Sequence, residues 1–268
     1  MIRHMTSTLI PTDTTPLAGI LAALGTRDRR KLAAATYATR SGDIVTVTYH
    51  DTAIVVYDLA ADTCTVDTGG WLTMTTVGRI NAYAPIRLAT YGGVYVASSP
   101  ARMGGWLTAL YDGLVTSLDG LALLSGYRDP AEVRAARDKV SRDILAYVDR
   151  YREPLARWGE EARATGRIST AGDPWCCAMV TADGRAPIGE GTDHLWQHIR
   201  ERYTFPALLF RALAYRRQGP EVMVYWPEHA LSALTEYLRA NLYPAGCGVK
   251  GGRMPGAVRP ETWQSRPR

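Results

Sequence analysis

Cysteine, histidine and aspartate gather in one stretch of the chain, where Asp173-Pro174-Trp175-Cys176-Cys177 precedes Asp193-His194-Leu195-Trp196-Gln197-His198. Thiolate sulfur and imidazole nitrogen are the ligands that borderline divalent ions take, so Cys176, Cys177, His194 and His198 form a candidate structural zinc site. The histidines stand four residues apart, which on a helix puts them on one face within reach of a single ion. The cysteines are adjacent, and side chains of adjacent residues diverge, so both reach one ion only across a sharply turned backbone. The plainer reading makes the cysteines small core residues, His194 a residue of a helix's first turn and His198 its half-buried partner.

Catalytic chemistry has thinner support. A hydrolytic zinc site needs an open coordination position and a carboxylate base. Glu190 and Glu201 flank the histidines, but there is no His-Glu-x-x-His string and no deaminase pattern of His-x-Glu with Pro-Cys-x-x-Cys. No phosphate-cradling glycine loop occurs, and nothing activates a serine or cysteine as a nucleophile. The chain reads as non-enzymatic, with a metal-dependent nuclease or hydrolase as a lesser alternative and no small-molecule cofactor implied.

The second constellation is electrostatic. Arg27, Arg29, Arg30 and Lys31 crowd into five positions of a chain with 31 basic and 26 acidic residues, net charge +5. More cations follow Val249, at Lys250, Arg253, Arg259, Arg266 and Arg268. With Arg79, the first four are candidate contacts to a nucleic-acid backbone, since Lys and Arg supply most phosphate contacts. Solubilising basic ends are the bland counterpart.

These residues need elements to hold them. Pro16 to Leu24 reads as a short helix stopped by Gly25. From Asp43 the period changes to that of strands: Ile44 to Tyr49 and Ala53 to Tyr57 form a hairpin around His50-Asp51, followed by strands near Cys64 and Val94. Between them, residues 75–83 suit a short helix capped by Thr75 or Thr76. Leu107 to Leu124 is apolar enough to be buried within a helical connector. Asp129-Pro130 then opens a long amphipathic helix carried by Val133, Val140, Ile144, Tyr147, Val148, Tyr151 and Leu155. Its mixed-sign outer face is that of a solvated helix. Residues 157–170 read as a polar linker, 221–226 as a short strand, and His229 to Leu242 as a helix with a leucine stripe.

The string Gly-Gly-Trp-Leu-Thr occurs at 69–73 and again at 104–108. Its flanks differ, so it reads as a shared turn-plus-aromatic solution rather than a duplicated module. A stacking platform of Tyr49, Tyr57 and Tyr95 is a further way to hold nucleic acid.

The expected fold class is therefore α+β: a small antiparallel β-rich N-terminal unit followed by a mainly helical C-terminal unit. The expected divisions are 1–42 (helix and basic segment), 43–100 (β unit), 101–160 (helical connector), 171–245 (helical domain with the Cys/His cluster) and 246–268 (basic tail). Four cysteines in a chain this long make no disulfide framework, and no apolar run is long enough for a membrane span. The expectation is a protein of a reducing cytoplasm with no membrane partner.

Two stretches carry a family resemblance. Thr68-Gly69-Gly70-Trp71-Leu72-Thr73-Met74-Thr75-Thr76-Val77-Gly78-Arg79-Ile80-Asn81 resembles a signature in uncharacterised accessory proteins of tailed bacteriophages, especially those of high-GC actinobacteria. Gly172-Asp173-Pro174-Trp175-Cys176-Cys177 with Asp193-His194-Leu195, His198, Tyr203 and Pro206-Ala207-Leu208-Leu209 is similar to the later part of the same proteins. There a cysteine stands at the place of Pro174, giving Cys-x-x-Cys ahead of two helical histidines. Here Cys177, His194 and His198 match, Pro174 departs, and Cys176 is the substitute ligand. The resemblance implies a phage protein acting in the host cytoplasm. Its function would be to bind nucleic acid, DNA ahead of RNA, or to bind a host or phage protein.

Overall fold

A computed structural model describes residues 15–101, 104–169, 192–244 and 246–247. The α+β reading holds. Two antiparallel sheets fill the N-terminal part and helices fill the C-terminal part.

The first helix, α1 (Pro16–Leu24), starts on Thr15, whose hydroxyl accepts from the Ala18 amide, and buries Ile20 and Leu24. Five strands follow as a meander: β1 (Arg29–Ala33), β2 (Thr36–Ser41), β3 (Ile44–Tyr49), β4 (Thr52–Asp58) and β5 (Thr63–Val66). They join the later β9 (Leu114–Ser117) in a six-stranded sheet ordered β1-β2-β3-β4-β5-β9. Directly paired residues share a face, so the register assigns rows across the sheet. Ala38, Val47, Val55, Val66 and Leu114 form one unbroken apolar row, and each is fully buried. The next strand outward continues that row with Arg30. On the other face run Thr39, Thr46, Val56, Thr65 and Val115, all partly exposed. Alternation of this kind is what a half-covered sheet demands.

Helix α2 (Met74–Tyr83) lies against the buried face. Its cap is Thr73, two or three residues before the expected Thr75 or Thr76: the Thr73 hydroxyl accepts from the Thr76 amide at 3.1 Å. The Thr76 side chain is instead turned inward, bonded to Thr73 at 2.9 Å. The smaller sheet comprises β6 (Arg87–Tyr91), β7 (Val94–Ser98) and β8 (Leu107–Ala109), in that order. Strands β8 and β9 thus occupy a stretch expected to be helical. Thr108, Ala109 and Leu110 are buried there as strand and strand-end residues, and helical periodicity was never the source of that expectation, only apolarity.

Strand β7 divides its side chains between two cores. Ala97 joins the β core with Leu88, Leu110 and the six-stranded sheet, while Val94 joins the helical core with Ala109. That helical core is built by α3 (Pro130–Asp149), α4 (Arg152–Thr165), α5 (Thr192–Glu201), α6 (Pro206–Tyr215), α7 (Glu221–Tyr225) and α8 (Pro227–Leu242). Asp129 caps α3, accepting from the Ala131 amide, with Pro130 in the first turn as expected. The expected long helix ends at Arg150, and α4 runs on through much of the expected linker, where Leu155 and Trp158 bury its apolar side. Residues 221–225 are helical instead of a strand: Val222 and Met223 pack inward together, a pairing that one helical turn permits and a strand forbids.

Two devices fasten the halves. Gly92 and Gly93 turn the β6–β7 hairpin with positive φ (56° and 81°), and a Cβ on either would meet a guanidinium, of Arg134 or Arg137, within 2.8 Å. The Arg137 guanidinium donates to the Gly92 carbonyl at 3.2 Å. Beyond α8 the chain returns to β7, where Tyr95 donates to the Gly246 carbonyl at 2.8 Å and Cys247 bridges Val94. Among the described residues no helix is long and apolar enough to cross a membrane.

Candidate functional site

Strand β1 is an outer edge of the six-stranded sheet, and Arg27, Arg29, Arg30 and Lys31 stand exposed on it and just before it. The alternation of a strand splits them. Arg29 and Lys31 pair with Thr39 and Tyr37 on the partly exposed face, whereas Arg30 pairs with Ala38 on the face that becomes core further in. Arg30 is exposed because the core ends at β2. The Arg29 guanidinium lies over the Tyr37 ring at 4.5 Å, a cation–π contact that holds it flat against the sheet. The four cations line one shallow depression with Leu32, Ala33 and Ala34. Among the described residues none of the four takes part in an ion pair. Cations on a sheet edge also discourage edge-to-edge association of chains, so the arrangement has a purely protective reading beside the functional one.

Arg79 is not on this edge. It is half-buried on α2, and its positive charge partly offsets the upward shift that burial imposes on the Tyr83 phenol. The signature segment around it has structural work to do. Asp112 accepts from the Thr68 amide at 2.6 Å, the Thr68 hydroxyl at 2.7 Å and the Gly70 amide at 3.1 Å. Gly69 and Gly70 take positive φ (59° and 77°), and a Cβ on Gly69 would meet the Thr52 side chain at 2.5 Å. Asn81 grips β6 from both sides, donating to the Leu88 carbonyl and accepting from the Leu88 amide. In the second Gly-Gly-Trp-Leu-Thr copy, Trp106 donates to the Gly120 carbonyl, and Thr108 is buried and bonded to the backbone of Arg128. The two copies share a turn and an aromatic residue but place their threonines in different roles, one as a helix cap.

The tyrosine platform is overturned for one of its members. Tyr57 is fully buried, and its hydroxyl donates to the Tyr83 carbonyl at 2.6 Å. Burial raises its pKa and pushes the neighbouring Cys64 thiol up to about 12, so neither group ionises in the physiological range.

The histidines of the Cys/His cluster are both on α5. Their Nε2 atoms approach to 2.8 Å, with ring planes at 78°. His198 is buried at 4% exposure and packs against the Phe205 ring, 4.7 Å between centroids. Burial first, then the neighbouring His194, pushes the His198 pKa down to about 4, with Glu201 opposing and Arg211 adding to the shift. The imidazole is neutral at pH 7. Close by, Tyr147 of α3 and Tyr151 at the start of α4 clasp the segment before α6: Tyr147 donates to the Tyr203 carbonyl at 2.7 Å, and the Phe205 amide donates to the Tyr151 hydroxyl at 3.4 Å. Asp173, Cys176 and Cys177 lie outside the described residues. Among those described, no three His, Cys, Asp or Glu side chains gather as metal ligands. Sequence reasoning missed the aromatic enclosure of His198, for which the tyrosines of α3 and the Tyr203–Phe205 spacing were the available signal.

No protein-family model, no characterised protein and no solved structure matches this chain.

Proposed function

We propose that this chain binds nucleic acid, DNA ahead of RNA, through phosphate contacts made by Arg27, Arg29, Arg30 and Lys31. One observation carries this reading: four exposed cations on the free edge of a rigid sheet, none held in an ion pair among the described residues. A strand presents such a row at a spacing of about 3.3 Å per residue, and alternate residues face the same way, roughly matching the separation of successive phosphates. Arg79 is a secondary contributor on this reading, since it is half-buried on α2 and away from the β1 edge. The phage resemblance favours DNA in a host cytoplasm as the ligand.

Backbone binding by four cations displaces condensed counterions, so affinity for duplex DNA should fall with salt along a log–log slope of about −3 to −4. Replacing Arg29, Arg30 and Lys31 by alanine should remove most of that slope and leave the melting temperature nearly unchanged, because these side chains are exposed. Affinity that ignores salt, or survives the triple substitution, would sink the proposal and leave the cations as edge protection. The rival is a protein-binding module. It draws support from Tyr225 and Trp226, adjacent, mutually packed and 67% and 53% exposed. Aromatic side chains of this kind anchor protein interfaces, and binding through them would be nearly indifferent to salt.

A further inference from the structure

We propose that His194 and His198 chelate one divalent transition-metal ion through their Nε2 atoms. This inference does not depend on the nucleic-acid reading. Positions four apart on α5 stack one turn above the other, and the two imidazoles face each other through the same nitrogen, Nε2 to Nε2 at 2.8 Å. Nitrogens bound to one tetrahedral zinc at the usual bond lengths stand about 3.3 Å from each other. The remaining half ångström is within a small rotation of either side chain. Without metal, the same distance is a hydrogen bond in which one Nε2–H donates to the other ring.

The surroundings favour a built site over a chance meeting. Leu195, between the two histidines, is 2% exposed and anchors the helix in the helical core. The Phe205 ring braces His198 from one side, and Tyr203 stacks on Phe205 in turn, 5.6 Å between centroids. The rotamer of the buried ligand is thereby limited before any ion arrives, which lowers the cost of ordering it. His194 is only half-buried and gives access from solvent. Two neutral imidazoles select zinc, nickel or copper over magnesium and calcium, which require oxygen ligands. They fill two coordination positions. Among the described residues no third ligand joins them.

The test uses the untagged full chain, stripped with a chelator and titrated calorimetrically with Zn²⁺ and, in parallel, with Mg²⁺. The expected result is one zinc per chain and no response to magnesium. His194→Gln, at the more exposed position, should weaken zinc binding at least about tenfold, since even loss of an outer-shell partner costs 10- to 100-fold. A variant that fails to fold is bypassed in the wild-type chain by imidazole ¹⁵N NMR, where zinc must shift the Nε2 resonances of both histidines. No zinc uptake at millimolar concentration would overturn the proposal, as would Nε2 resonances that stay put. So would undiminished affinity in His194→Gln accompanied by its loss in Cys176→Ser/Cys177→Ser, which would mean that thiolates hold the ion without the imidazoles.

Discussion

The β region and the helical region bury similar kinds of apolar side chains but treat polar groups differently. In the β core the neighbouring Tyr57 and Cys64 are held in their neutral forms beyond physiological pH by burial. In the helical core, His198 sits beside a second histidine, and an ion pair between Arg216 and Glu236 (2.6 Å) joins α6 to α8 with only 16% of either side chain exposed. Charge in the β region is pushed to its edge, where Arg30 ends the apolar row. In the helical region, charge and near-charge are kept inside. The lesson is that the β core's buried Tyr57 and Cys64 should be indifferent to pH across the physiological range. The acid response there rests on Asp67, whose carboxyl burial holds above the usual carboxylate range. The helical region, by contrast, responds to acid, to metal and to loss of single partners.

The largest effect should come from removing packing inside the helical core. Leu208→Ala, at a position with no exposure in α6, should cost about 2–5 kcal/mol by lost transfer energy and the cavity left behind. Because β7 contributes to both cores, denaturant unfolding followed by far-ultraviolet circular dichroism and by tryptophan fluorescence should still give coincident transitions. A separate, unshifted β transition would break the comparison by showing that the regions unfold independently.

Acid should produce the next largest effect. In metal-free protein the folded state holds His198 at about 4, below the ordinary 6.5 for an unfolded histidine. Between those values the unfolded chain binds more protons, so stability is complete above pH 6.5 and falls as pH drops toward 4. The loss is roughly 2–3 kcal/mol at the lower limit. Chemical denaturation at pH 7 and pH 4.5 measures it, and His198→Phe should flatten the difference. An equally steep decline in that variant would move the acid sensitivity elsewhere.

The smallest effect belongs to the β region. Thr73→Ala removes the α2 cap and should cost about 1 kcal/mol. The cost should be the same at pH 7 and pH 4.5, since the cap is a bond between an uncharged hydroxyl and an amide; a pH-dependent penalty would blur the contrast between the regions. Melting curves at the two pH values decide this.

Much of the fold was legible because its signals are local. Ile44 to Tyr57 alternates as a hairpin must, Asp129-Pro130 opens a helix with a cap and a first-turn proline, and Leu231, Leu234, Leu238 and Leu242 repeat at helical spacing. Failures came where local signals were weak or shared. Residues 107–124 are apolar without a period, and only pairing with β7 and β5 makes strands of them. Arg29 to Ala33 carries three cations in five residues, and an edge strand accepts such a sequence because it needs only one partner. For the candidate site, the histidine spacing announced a shared helix face, but the packing of His198 comes from Phe205 in the turn before α6, which Tyr151 at the start of α4 holds in place, 7 and 47 residues away.

Residue order alone determined that this chain would have a β-rich first part and a helical second part, since hydrophobic period and capping chemistry act within a few residues. Only tertiary structure decided which polar groups live in the interior. Arg30 stays in water because β1 lies at the margin of its sheet, and His198 leaves water because α5 turns it inward against Phe205. Burial depends on what packs alongside, and that is a property of the assembled fold.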